Sequence, residues 1–261
     1  MIAGVARLFS RAAATYGGWT GLHERVASRL IGLAPEDDGT IESILELGCG
    51  TGVLTGLALA RYRAAHLTAV DVARGMVRRV RDEYGSGGRV TAVVGDAGTF
   101  ASRDRFDLLL SSATLHWALP LEETLANLRR LIAGHGVFVA SLMLEGTLGE
   151  LHCLRRTFPA DSIPAGRLPS RPDVERTLAA AGFRAAVIEE ETLRIGYVSA
   201  REFLRSLHEQ GVTGGPVSRG ARPLNRSELR RLTESYDREC RDPAGGVYAS
   251  YRVLYFRAVA R

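Results

Sequence analysis

The nine residues Ile44-Leu45-Glu46-Leu47-Gly48-Cys49-Gly50-Thr51-Gly52 (ILELGCGTG) decide how the rest of this chain is read. Ile44, Leu45 and Leu47 form an apolar run that reads as a buried strand, and the glycines at 48, 50 and 52 make a tight turn into an apolar helix. Glycine permits the positive φ that such a turn needs, and bare backbone at 48 and 50 lets a ligand lie against it. The spacing is not that of a dinucleotide fingerprint, whose third glycine would fall at Val53. Instead an acid, Glu46, precedes the turn. A carboxylate there suits a ligand carrying an ammonium group and repels a pyrophosphate.

Outward from the turn, strand and helix patterns alternate through the first half. A helical pattern at 22–33 and a loop at 35–39 precede the strand at 43–47, and Val53, Leu54, Leu57 and Ala58 share one face of the helix after it. Apolar strands at 66–70, 90–94, 106–111 and 137–142 are separated by further turns and helices. Repeated βα units with short links predict an α/β fold, a doubly wound and mostly parallel sheet with ligands at the carboxyl ends of its strands. The second half breaks this rhythm. It predicts helices at 173–181, 200–208 and 227–238 and two late strands at 186–195 and 247–258. Irregular insertions at about 146–171 and 199–225 are expected to form a helical lid over the strand ends, within a single domain spanning 1–261.

Composition narrows the chemistry. The chain carries 34 basic residues and a net charge of +5, and every basic residue is arginine. The absence of lysine excludes a Schiff-base or lysine-base mechanism. GC-rich codon usage accounts for such a bias, and the functional alternative is that arginine forks meet carboxylates or phosphates on a partner. Cys49, Cys153 and Cys240 form no C-x-x-C pair, so reduced thiols in a cytoplasmic protein are expected, with neither a metal centre nor a disulfide framework. No signal-peptide core and no run of about eighteen apolar residues is present, so no membrane association is expected.

Three acids fall at strand ends: Glu46 in the turn, Asp71 after the second strand and Asp96 in Gly95-Asp96-Ala97 after the third. An acid in the place of Asp71 bonds ribose hydroxyls in nicotinamide enzymes, and any one of these acids alone also reads as a helix cap. Taken in order with the glycine turn, they resemble the Rossmann-like class of S-adenosylmethionine-dependent methyltransferases. The resemblance implies a seven-stranded sheet completed by the two late antiparallel strands, S-adenosyl-L-methionine as methyl donor, and no metal. It implies cofactor contacts at Glu46, Gly48, Cys49, Gly50, Gly52, Asp71, Asp96, Ala97 and Ser111, with Asp96 accepting from the adenine amino group.

The acceptor side is read from other segments. His116 and Trp117 follow the fourth strand, where a histidine serves as base or substrate contact, or else lines the pocket floor. Phe9, Ala12, Ala13 and Tyr16 belong to a segment that folds over the cofactor or docks as a surface helix. Leu148, Leu151, His152 and Arg155 share one helical face, directed at a pocket or at the core. Tyr16, His116, Trp117, His152 and Arg155 are therefore the acceptor-site candidates. No [N/D]-P-P-[Y/F] run, no Pro-Cys pair and no lysine-rich or aromatic nucleic-acid surface is present, which disfavours DNA or RNA as substrate.

Over most of its length the chain resembles the malonyl-acyl-carrier-protein O-methyltransferases of biotin synthesis. The resemblance runs through Phe9 to Tyr16, ELGCGTG at 46–52, LHW at 115–117, EGTLGEL at 145–151, FLRSLHEQGVTG at 203–214 and YRVLYF at 251–256. Gly134-His135-Gly136 departs from the Pro-Gly-Gly turn usual there. Membership implies methyl transfer to the free carboxylate of a malonyl thioester, carried on an acyl carrier protein or on CoA. A carboxylate is already ionised at pH 7 and needs no general base. A carrier protein is acidic, so Arg201, Arg205, Arg219, Arg222, Arg226, Arg230 and Arg231 either dock it or form a solvated basic surface. The alternative reading is a methyltransferase for a free small molecule, such as a carboxylic acid or quinone precursor, with the same cofactor residues.

Overall fold

The apolar run before the glycine turn becomes strand β1 (Ser43–Leu47), at the centre of a mostly parallel sheet. The computed structural model describes residues 2–12, 21–118, 120–164, 166–214 and 221–260. On one side of β1 lie β2 (His66–Asp71) and then β3 (Val90–Val94), and on the other β4 (Phe106–Ser111) and β5 (Ile132–Met143), all parallel. Strand β7 (Val247–Ala260) runs antiparallel beside β5, and β6 (Phe183–Tyr197) pairs with β7 along its length. The order is β3-β2-β1-β4-β5-β7-β6, the seven-stranded arrangement expected. The strand order reverses between β1 and β4, the place where a crevice opens beyond the strand ends.

Alternation along the strands sends neighbouring residues to opposite layers. Ile44, Leu108 and Leu110 pack on the side that holds α2 (Gly21–Leu33) and α3 (Val53–Arg61). Leu45, Leu47 and Leu109 pack on the other side, against α5 (Leu121–Leu131) and α7 (Arg171–Ala180). Both faces are covered, which is why the central strands are apolar almost throughout. Glu46, two residues from Ile44, therefore points toward α3 from within a buried strand.

Several boundaries differ from expectation. Strand β5 begins at Ile132 and carries Gly134-His135-Gly136 within it, with an irregular register opposite Phe106 and Leu108. A Cβ at Gly136 would sit 2.9 Å from the Phe106 carbonyl oxygen, so the glycine lets the strands close. Helix α7 starts at Arg171, before the expected 173, because Ser170 caps it: its side chain accepts from Asp173 N while Asp173 returns a bond to the Ser170 backbone. Strand β6 outruns the expected 186–195 at both ends because its pairing with β7 runs from Phe183 to Tyr197.

Further helices line the crevice or pack beside it. Helix α1 (Ile2–Ala12) packs Ala12 and Phe9 against Ala73 and Met76 at the start of α4 (Arg74–Tyr84). Helix α6 (Gly149–Arg155) follows β5, and α8 (Ala200–Glu209) and α9 (Arg226–Glu239) lie between β6 and β7. No helix among the described residues is long and apolar enough to cross a membrane.

Candidate functional site

The glycine turn is tied to the end of β2. Gly48 N and Cys49 N both donate to the Val70 carbonyl, at 2.7 and 3.0 Å, and Gly50 N donates to Asp71 Oδ2 at 2.9 Å. Gly48, Gly50 and Gly52 all have positive φ, at 73°, 52° and 91°. Their needs for bare backbone differ. A Cβ at Gly48 would lie 2.0 Å from Thr114 Oγ1, so this glycine makes room for the loop after β4, where the sequence suggested room for a ligand. A Cβ at Gly50 would meet nothing within 4 Å. At Gly52 it would fall 2.8 Å from the Tyr84 ring, and Gly52 is absent from the cavity lining, so the expected cofactor contact there is replaced by helix packing.

The turn opens onto a cavity of about 400 Å³, the size of a small-molecule site. One end is lined by Glu46, residues 48–51, Asp71, Met76 and residues 95–99, and includes Asp96 and Ala97. The loop after β4 contributes Ser112, Ala113, Thr114, His116 and Trp117. The far end is closed by Leu148, Leu168, Leu207, Gln210, Val212 and Tyr251.

The acids are held in different states. Glu46 is buried, accepts one bond from Thr55 Oγ1 at 2.6 Å, and is pushed up to about 8 chiefly by desolvation. With no cation beside it among the described residues, this buried acid is electrostatically suited to a ligand that carries one into the cavity. Asp71 is raised by burial too, and offsets part of this by accepting from Gly50 N and Ala73 N. It thus braces the turn, as a cap would, while its carboxylate still lines the cavity. Asp96 Oδ1 accepts from Gly98 N at 3.0 Å, shaping the loop after β3 in the same way. Cys49 lines the cavity, and burial, with Glu46 and Asp71 nearby, raises its thiol well above the ordinary range, which favours the protonated thiol over the nucleophilic thiolate.

Ser111 is placed otherwise than expected. Its side chain is fully buried and donates to the Leu47 carbonyl at 3.0 Å, and it is Ser112, one residue on, that lines the cavity. The side-chain period of two in β4 makes the difference. The next turn is strained: Ala113 has a φ of 49°, with its N–H bonded to the Ser141 carbonyl and hydroxyl.

His116 is 6% exposed, and burial, with His23 nearby, pushes it down to about 3, so it is neutral. Met143 N donates to His116 Nδ1 at 3.3 Å, which leaves the proton on Nε2. His116 is therefore neutral, with its Nδ1 engaged by the backbone and its ring lining the cavity. Trp117 also lines the cavity, and Phe9 of α1 meets it edge-on with ring centroids 5.0 Å apart. That contact draws α1 over the cavity, as one of the two readings of this segment expected. Tyr16 lies outside the described residues.

Comparison with known proteins agrees with this geometry. A methyltransferase-domain profile matches residues 44–136, from β1 into β5. The chain is 32% identical to the malonyl-acyl-carrier-protein O-methyltransferase of Geobacter sulfurreducens over 258 residues, covering 96% of each. The chain belongs to the malonyl-acyl-carrier-protein O-methyltransferase family. Among solved structures, its fold is similar to YcgJ of Bacillus subtilis, with a TM-score of 0.63, 15% identity and coverage of 92% and 99% of the two chains. It is also similar to the N-methyltransferase NodS of Bradyrhizobium japonicum, solved with S-adenosyl-L-homocysteine, with a TM-score of 0.58, 14% identity and 98% of each chain covered.

Within this family member the acceptor end holds residues that sequence reasoning missed. Tyr251, Thr114, Met143 and Gln210 all line the cavity. Tyr251 was legible only as one of the alternating residues of the last strand, and its hydroxyl pairs with Tyr197 at 3.0 Å. His152 and Arg155 do not line the main cavity. They line a second one of about 120 Å³, between α6 and α8, which shares Leu148, Leu207 and Val212 with the first.

The basic surface is more selective than its composition suggests. Arg222 is spent on Glu228 and Asp161 at 2.7 and 2.9 Å, Arg230 pairs with Glu234 at 2.7 Å, and Arg205 approaches Glu209 at 4.0 Å. Arg231 lies over the Phe158 ring, 5.1 Å from its centroid. Arg219 lies outside the described residues. Arg201 and Arg226 are exposed and have no ion-pair partner among the described residues.

Proposed function

We propose that this protein transfers the methyl group of S-adenosyl-L-methionine to the free carboxylate of a malonyl thioester, carried on an acyl carrier protein. The observation that carries the reading is a match along nearly the full chain to a family so named, with a cavity whose acids suit a cationic cofactor. In it Glu46 takes the ammonium, Asp71 the ribose hydroxyls and Asp96 the adenine amino group, while Gly50 leaves backbone open to the ligand. The cofactor supplies a methyl group on a sulfonium, an electrophile that needs no metal.

The chain's own contribution is alignment and exclusion of water. Leu148, Leu168, Leu207 and Val212 make the acceptor end apolar, and with Gln210 these residues of the two insertions act as the lid over it. A dry site favours a step in which opposite charges cancel. His116, a neutral donor through Nε2, orients the acceptor carboxylate without the deep ground-state pairing that a guanidinium would impose. Its engaged Nδ1 suits an acceptor that arrives already ionised. The test is transfer of labelled methyl to malonyl-carrier protein, malonyl-CoA and a panel of free acids. Label in the malonyl thioesters is expected. Label in free acids alone would overturn the reading in favour of a small-molecule methyltransferase.

A further inference from the structure

The second cavity has features that the main site does not use. It shares Leu148, Leu207 and Val212 with the main cavity, and it is bounded on its other side by the partly exposed His152 and Pro164 and the exposed Thr213. It therefore runs from the acceptor end of the main cavity toward the surface between α6 and α8. Leu148, at the junction, is held with a φ of 56°, rare for leucine, by a 2.7 Å bond from its N–H to the Ser250 carbonyl. Strain of this kind persists only where surrounding structure enforces it, and it clusters at ligand clamps.

Its walls combine the apolar Leu148, Leu151, Leu204, Leu207 and Val212 with three polar side chains, His152, Arg155 and Thr213. Arg155 bonds through Nη2 to the Ser162 carbonyl, but its Nε is buried and has no hydrogen-bond partner among the described residues. A buried guanidinium N–H left unmade is costly, and an acceptor atom brought by a ligand removes that cost. The occupant must thus be slender, with apolar stretches and at least one hydrogen-bond acceptor along its length. It must also extend from the acceptor end of the main cavity out to solvent.

We propose that this cavity is the passage for the pantetheine arm of the thioester substrate, with Arg155 Nε donating to an amide carbonyl of the arm. The assignment rests on the malonyl-thioester reading above. An acceptor carboxylate does not fit here, because it has to reach the cavity that holds Glu46, Asp71 and Asp96, beyond Leu148 and Leu207. Helix α9, with its exposed Arg226, packs against α6 and α8, so a carrier threading its arm between those two helices would lie beside α9.

The experiment compares malonyl-carrier protein and malonyl-pantetheine with malonyl methyl thioester, which has no arm, for the wild type and for Arg155→Met and Thr213→Trp. Arg155→Met is expected to lower kcat/KM for the arm-bearing substrates by about tenfold or more, the worth of one charge-assisted bond, and to affect the armless thioester far less. Thr213→Trp, at an exposed rim position, narrows the mouth and should raise KM for the same two substrates while leaving that for the armless thioester unchanged. Equal losses on the armless substrate, or no loss in either variant, would overturn the passage. Calorimetric titration of pantetheine itself separates the two readings. If wild type methylates no malonyl thioester yet binds pantetheine about tenfold more tightly than Arg155→Met, the passage stands and the methyl-acceptor reading falls. If pantetheine binds both proteins alike, the passage falls whatever the acceptor is.

Discussion

Glu46 is the residue whose electrostatics speak most directly to the cofactor. Folded, it keeps its proton up to about pH 8, whereas its ordinary value is 4.5. Its contribution to stability is therefore complete below the ordinary value and is lost as pH rises through about 8. A bound ammonium reverses the preference, so binding at neutral pH releases the proton. Affinity for S-adenosylhomocysteine, measured by calorimetry, should then strengthen between pH 6 and 7.5, approaching tenfold per pH unit at the acid end, and Glu46→Gln should weaken binding and abolish the slope. An unchanged slope in Glu46→Gln would remove Glu46 from the site. His116 makes a second prediction. His116→Gln keeps an N–H donor and should retain most activity, whereas His116→Leu should lose roughly tenfold or more in kcat/KM with cofactor affinity preserved. A base would give the opposite pattern, with Gln as damaging as Leu.

At the scale of elements, the boundaries set by local chemistry are experimentally separable from those set by pairing. Helix α7 owes its start to the reciprocal Ser170 and Asp173 cap. Ser170→Ala should cost about 0.5–2 kcal/mol and lower the thermal midpoint by a few degrees, with cofactor affinity unaltered. The parallel strands and the helices between them were readable in the sequence because both faces of the sheet are buried and each strand is an apolar block. The extent of β6 was not readable, because its charged outer half is fixed by the partner strand β7 and by pairs such as Arg252 with Glu190 and Arg29 with Glu189. The glycine turn showed the same mixture. Its spacing announced a ligand, yet the closest neighbours of Gly48 and Gly52 are Thr114 and Tyr84, which tertiary contact alone brings there. Ser111 and Ser112 differ by one step along a strand, and only register decides which faces the cavity. His152 and Arg155 were correctly placed on one helical face, but the division of the interior into two cavities depends on α8, fifty residues away in sequence.

For the whole molecule, a charge of +5 made entirely with arginine is a weak guide until internal pairs are set aside. Arg222 and Arg230 are occupied and Arg231 lies over Phe158, whereas Arg201 at the start of α8 and Arg226 at the start of α9 are exposed cations with no ion pair among the described residues. The double charge reversal Arg201→Glu with Arg226→Glu should raise KM for malonyl-carrier protein roughly two- to thirtyfold, as expected of two exposed pairs worth up to about 1 kcal/mol each. Added salt should shrink the difference, and KM for malonyl-pantetheine should not follow it. The central claim is that the methyl group ends on a carboxylate oxygen of the malonyl thioester. The direct measurement is to incubate the protein with methyl-labelled S-adenosylmethionine and malonyl-carrier protein, isolate the carrier, and treat it with mild base. A methyl ester is predicted to release its label as volatile methanol; label that stays with the malonyl chain after base treatment, as a methyl on carbon would, contradicts the claim.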